Sequence, residues 1–316
     1  IPEATGDTYA LANVGPADIG FYSVAVSAGG AATTESSVAI LTVATGGGSR
    51  LANLSTRGLV PAGGDLTVGF VVRGSRGKSL LVRAVGPTLG SFGVAGALAD
   101  PKLDVIPAGA SAAMNTHDDW AGAPVLAGAF AGVGAFALPA ASRDAAVLAT
   151  LPAAAYSARI TSNVAGGSGI AIAEVYDRDA SGAASRLVNV STLGFVGTGA
   201  QALVPGFVIA GDAAKLLLIR AVGPGLAQFG VGGTLADPQL AVIPLGKTFT
   251  VASNDNWGGN ATLTAAFAAA GAFALPAASK DAALVVRLPP GGYTVTVSGV
   301  ADTTGRALVE IYDLDP

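Results

Sequence analysis

Apolar residues in this chain fall into short runs, many with a period of two, and the runs are stopped by glycine, proline or charge. Leu80-Leu81-Val82-Arg83-Ala84-Val85-Gly86-Pro87 is such a run, and it returns 137 residues later as Leu217-Leu218-Ile219-Arg220-Ala221-Val222-Gly223-Pro224. An apolar, β-branched stretch that halts at Gly-Pro reads as a buried strand ending in a turn.

From Ser49 onward the whole pattern occurs twice. Ser49-Arg50-Leu51-Ala52-Asn53-Leu54-Ser55 answers to Ser185-Arg186-Leu187-Val188-Asn189-Val190-Ser191, and Gly69-Phe70-Val71-Val72 to Gly206-Phe207-Val208-Ile209. After each Gly-Pro come Phe-Gly-Val (Phe92, Phe229) and Leu-Ala-Asp-Pro (Leu98, Leu235). Later, Pro289-Pro290-Gly291-Gly292 joins two strand-like runs, and Gly305 to Asp313 closes the unit as Gly169 to Asp177 does. Many short strands with regular turn signals predict a β-sandwich, here jelly-roll-like, in each repeat. Leu126 with Phe130, and Leu263 with Phe267, are spaced for one short helix per repeat. The fold class is therefore all-β, with repeats at 49–180 and 181–316 behind a Gly46-Gly47-Gly48 linker.

Residues 1–45 are of another kind. Tyr9 to Val14, Asp18-Ile19-Gly20-Phe21-Tyr22-Ser23-Val24 and Ser37 to Val43 alternate as strands do. Asp18, Gly20 and Tyr22 resemble the Asp-x-Gly-x-Tyr-x-Cys stretch of immunoglobulin-like domains, with Val24 where the Cys would be. The resemblance implies only strands E, F and G of a domain that has about seven. One face of such a segment lacks a partner sheet, so Tyr9, Leu11, Tyr22, Val24 and Leu41 are expected to form a subunit interface.

Composition narrows the function classes. Charged residues are 12% of the chain, against about 25% in an ordinary soluble domain, and the mean hydropathy is +0.58. Large apolar surface favours burial between chains. No apolar run reaches the ~18 residues of a membrane span. A net charge of −4 argues against nucleic acid as a partner. With no Cys, neither disulfides nor thiolate metal sites are available. A chain beginning at Ile1 reads as processed or trimmed.

The order Asp-Pro-x-Leu, Asn-Asp-x-Trp, Asp-Ala-Ala-Leu, Pro-Gly-Gly-Tyr-Thr-Val-Thr-Val and terminal Tyr-Asp is similar to bacterial pre-peptidase C-terminal modules. More closely, the pair resembles tandem C-terminal repeats that follow Ig-like domains in large secreted bacterial surface proteins. That resemblance implies a spacer, adhesion or matrix-binding role; function does not follow from fold alone.

Arg83 and Arg220 lie mid-strand among aliphatics, while Glu174 and Glu310 lie mid-strand near the end of each repeat. An unpaired buried charge is too costly, so one structural Arg–Glu pair is expected inside each repeat; a substrate-binding arginine is the functional alternative. Asp118-Asp119 and Asp255-Asn256 are candidate Ca²⁺ ligands, with Asp177, Asp179, Asp313 and Asp315 joining if the loops meet. The same residue types also populate turns and N-caps for local reasons, and no other cofactor is expected. Trp120 and Trp257 read as core anchors. The one histidine, His117, has Asn254 as its counterpart, so a triad finds no support. Gly74-Ser75-Arg76-Gly77-Lys78-Ser79 imitates a phosphate loop, but Val72 stands where its first Gly belongs. Asn53, Asn189 and Asn260 begin glycosylation sequons.

The expectation is a structural, non-enzymatic, secreted surface protein that polymerises with copies of itself as neighbouring chains complete the open sheet. The alternative is a polysaccharide- or matrix-binding adhesion module.

Overall fold

The computed structural model describes residues 1, 4–27, 33–43, 48–180 and 182–315. Of the expected 46–48 linker, only Gly48 falls among them.

The front segment holds four short strands: β1 (Gly20–Tyr22), β2 (Ala25–Val26), β3 (Thr34–Glu35) and β4 (Ala39–Leu41). β1 pairs antiparallel with β4, and β2 with β3. Tyr22 Oη donates to the backbone oxygen of Asp18 at 2.6 Å, which braces the turn into β1. Tyr9–Val14, expected as a strand, is not one: no strand among the described residues lies alongside to bond it.

Repeat one contributes β5 (Ser49–Val60), β6 (Leu66–Gly74), β7 (Lys78–Val85), β8 (Pro101–Pro107), β9 (Asn115–His117), α1 (Pro124–Gly132), β10 (Ala145–Leu151), β11 (Ala154–Ser162) and β12 (Gly169–Asp177). Repeat two gives the same series: β13 (Ser185–Val196), β14 (Val204–Gly211), β15 (Lys215–Val222), β16 (Pro238–Pro244), β17 (Ala252–Asn254), α2 (Ala261–Ala270), β18 (Ala282–Leu288), β19 (Gly291–Gly299) and β20 (Gly305–Asp313). The fold is all-β with one short helix per repeat, and every named ladder is antiparallel.

Each repeat is a sandwich of four strands over four. In repeat one, β10-β7-β12-β5 faces β6-β11-β8-β9. The sequence boundary at 180/181 does not interrupt the hydrogen bonding. β5, at the edge of one sheet of repeat one, pairs with β14 of repeat two, and β6 pairs with β13. The sandwiches are thus joined edge to edge on both sheets, which removes four strand edges at once. Ala52 and Val188 are skipped in this pairing, so each long strand carries a bulge at the same repeat position. One hydrophobic core runs through both halves, from Val82 and Tyr156 to Phe207, Ile219 and Tyr293.

Period two splits β7 cleanly. Leu80, Val82 and Ala84 face the inter-sheet core, whereas Leu81 and Val85 face an outer cluster beneath α1 with Trp120 and Phe130. β15 does the same under α2 with Trp257 and Phe267. Where the strands stop, Gly86 and Gly223 must be glycine, because a Cβ there would lie 2.2 Å and 2.0 Å from the carbonyl oxygens of Leu98 and Leu235.

The front segment rests on repeat two. Phe21 meets Phe249 edge-on at 5.8 Å and Tyr293 at 6.4 Å, and Ile40 packs on the same core. Repeat one has Ala112 where repeat two has Phe249.

Candidate functional site

Arg83 and Arg220 are the largest fully buried side chains of the chain, and each sits in a closed cage. Arg83 Nε donates to Glu174 Oε2 at 2.8 Å, with Nη2 2.6 Å from the same oxygen. Its Nη1 donates to the backbone oxygen of Phe136 at 2.7 Å. Strand register places the pair directly opposite one another, since Arg83 on β7 faces Glu174 on β12. The other carboxylate oxygen, Oε1, accepts the Tyr176 hydroxyl at 2.8 Å. Phe136 and Phe130 cover the guanidinium at 4.4 and 4.9 Å.

The second copy repeats the arrangement. Arg220 Nε donates to Glu310 Oε2 at 2.8 Å, Nη2 donates to the same oxygen, and Nη1 donates to Phe273 O at 2.6 Å. Tyr312 Oη donates to Glu310 Oε1 at 2.5 Å, and Phe273 and Phe267 flank the guanidinium. Burial, followed by the adjacent glutamate charge, raises the pKa of both Tyr176 and Tyr312 well above the ordinary phenol value. With its charge paired and its faces covered by rings, the arginine presents no open donor fork to a substrate.

A second buried acid organises the rim. Asp144 Oδ1 accepts the Gly86 N–H at 2.7 Å, Oδ2 accepts the Thr88 hydroxyl, and its carbonyl accepts the Trp120 N–H at 2.8 Å. Asp281 does the same for Gly223, Gly225 and Trp257. Both tryptophans are 5% exposed, with their indole N–H bonded to Pro139 and Ser142 or to Pro276 and Ser279. They are anchors and offer no stacking surface.

The expected calcium loops lie apart from these groups. Asp118, Asp119, Asp255 and Asn256 are exposed. Among the described residues no three His, Asp or Glu side chains gather into a metal-holding group. Asp177 and Asp179 do not join them, because both are bound to a lysine that sequence reasoning passed over. Lys78 is 0% exposed, and its Nζ lies 2.6 Å from Asp177 Oδ1 and 3.1 Å from Asp179 Oδ2. Arg50 Nη1 holds the other oxygen of Asp177. In repeat two, Lys215 Nζ lies 2.9 Å from both oxygens of Asp313 and 3.8 Å from Asp315 Oδ2. The signal was present in the sequence. Lysine is kept at this place in both copies while the three residues before it change from Ser-Arg-Gly to Asp-Ala-Ala.

The remaining sequence candidates distribute simply. Ser75–Gly77 is the turn between β6 and β7. Asn189 is buried with its amide bonded to Val190 O and Ile311 O, whereas Asn260 is exposed and caps α2 through the N–H groups of Thr262 and Leu263. Tyr9, Leu11, Tyr22, Val24 and Leu41 line one groove of about 590 Å³ on the front segment. No helix among the described residues is long and apolar enough to cross a membrane. Comparison with family models, and with curated proteins, finds no match to this chain.

Proposed function

We propose that this chain is a structural, non-enzymatic component of a secreted surface assembly, in which a second copy covers the open face of the front segment. The observation that carries the reading is the groove lined by Tyr9, Leu11, Tyr22, Val24 and Leu41. Tyr9 is 51% and Val24 59% exposed there, so apolar surface stays in water unless another chain covers it. The short ladder of β1 with β4 leaves backbone groups on both sides for an added strand. Sedimentation and negative-stain microscopy of the full chain test the reading. Concentration-dependent association that Val24→Asp abolishes is expected; a wild-type chain that stays monomeric at high concentration ends it.

A polysaccharide-binding role draws on a different observation. Phe92 and Phe229, 61% and 56% exposed, stand at the same place in both repeats, edge-on to Phe136 and Phe273. Saturable binding to a glycan panel, lost in Phe92→Ala/Phe229→Ala, would favour this role over assembly.

A further inference from the structure

We propose that Lys78 with Asp177, and Lys215 with Asp313, are the halves of two intramolecular amide cross-links that the folded chain forms between lysine Nζ and aspartate Cγ. This inference does not depend on the assembly reading.

Four observations converge on it. First, both partners are removed from water: the side chains of Lys78 and Asp177 are 1% and 0% exposed, and those of Lys215 and Asp313 are 3% and 0%. Second, each amine already lies against its carboxyl group, with Nζ 2.6 Å from Asp177 Oδ1 in repeat one and 2.9 Å from Asp313 Oδ1 in repeat two. Lys215 Nζ donates to both oxygens of Asp313, and Lys78 Nζ lies within the same reach of Asp177, so each amine is held against its carboxyl group. Third, each pair carries the same two accessories. Asp179 or Asp315 lies beside the amine, and Arg50 or Arg186 acts on the acid. Fourth, the set occurs at the same place in both copies, joining the start of β7 or β15 to the end of the neighbouring strand.

The chemistry follows from burial. Two charges taken out of water lose much of their advantage over the neutral pair, because low dielectric penalises each ion. Proton transfer within the pair gives an amine and a carboxylic acid in contact, a near-attack arrangement. Burial pushes the Asp313 carboxyl above the usual carboxylate range against the pull of Lys215, which favours the acid form that the step needs. Nζ then adds to Cγ, and one C–O bond breaks. The departing oxygen leaves as water with two of the protons first held by the ammonium, and one proton stays on the amide nitrogen. The step is neutral overall and needs no oxidant or co-substrate. Asp179, 3.1 Å from Lys78 Nζ, is placed to carry the proton. The Arg50 guanidinium is ion-paired with the Asp177 oxygen on which charge builds in the tetrahedral intermediate.

Intact-mass spectrometry of the purified full chain tests this. The folded protein is expected to be lighter than its sequence by two water molecules. Lys78→Met should restore one of them, and Lys78→Met/Lys215→Met both. Peptide mapping should recover a branched species joining the β7 and β12 segments through Lys78. A folded wild-type chain whose mass equals that of its sequence overturns the proposal, as does a water loss that maps to a succinimide at some other aspartate.

Discussion

Thr56 and Thr192 share a hydrogen bond, 2.8 Å between their hydroxyl oxygens, with both side chains fully buried. They are the same residue of the two repeats, on β5 and β13, and Leu51 and Leu187 pair on those strands as well. The contact therefore marks the line about which one repeat is turned onto the other. Along it the two sandwiches stop being neighbours and become two continuous sheets.

Breaking that hydroxyl pair on one side only should be worse than removing it. Thr56→Val leaves the Thr192 hydroxyl buried without a partner, and a loss of about 1–3 kcal/mol is expected. The double replacement by Val should cost less than the sum of the singles. Urea unfolding of the four proteins gives the answer, and additive costs would show that the hydroxyls act separately.

Shared sheets also predict shared unfolding. Trp120 reports on repeat one and Trp257 on repeat two, each wedged under its own helix. In Trp257→Phe and Trp120→Phe the remaining fluorescence should follow the same transition as circular dichroism. Two separated midpoints would mean that β5–β14 and β6–β13 open before the sandwiches do.

The arginine cages should be intolerant of half-removal. Arg83→Met strands Glu174 in the outer core, and a destabilisation of about 3–5 kcal/mol is expected. Adding Glu174→Leu should recover a large part of that, since the ring-lined site then holds no ion. Denaturant midpoints decide it; a double variant as weak as the single would place the effect in lost packing of the guanidinium stem.

Alkaline pH should unfold the chain. Burial raises the pKa of Tyr156, Tyr176, Tyr293 and Tyr312 in the folded state. The stabilisation from keeping these phenols neutral is complete below their unfolded value of about 10. It is lost as pH climbs above that value, because the unfolded chain releases the protons first. Phenolate absorbance of these tyrosines should therefore appear together with loss of the circular dichroism signal. Ionisation in a chain that keeps its fold would contradict their burial.

Much of this architecture could be read from residue order. Alternation set Arg83 beside Leu81 and Val85, and Glu174 beside Ile172 and Tyr176, and in the fold Arg83 and Glu174 stand opposite one another on the same face of two adjacent strands. The Leu126 and Phe130 spacing found its helix. What sequence did not disclose was which strands stand at an edge, because a run that ends a sheet alternates no differently from one inside it. The seat of the front segment was hidden for a related reason, since it depends on Phe249 at a place where repeat one has alanine. The burial of Lys78 was missed because a lysine beside a turn ordinarily points to water; its charge is met by Asp177 and Asp179, which come from a distant part of the chain.

The joined edges bear on how such a chain could be inherited. A solitary copy would carry β5 and β6 bare along one flank, inviting any passing strand. Selection then acts on couples: lengthening by duplication should proceed in even numbers, and deletion of one member should orphan its sibling.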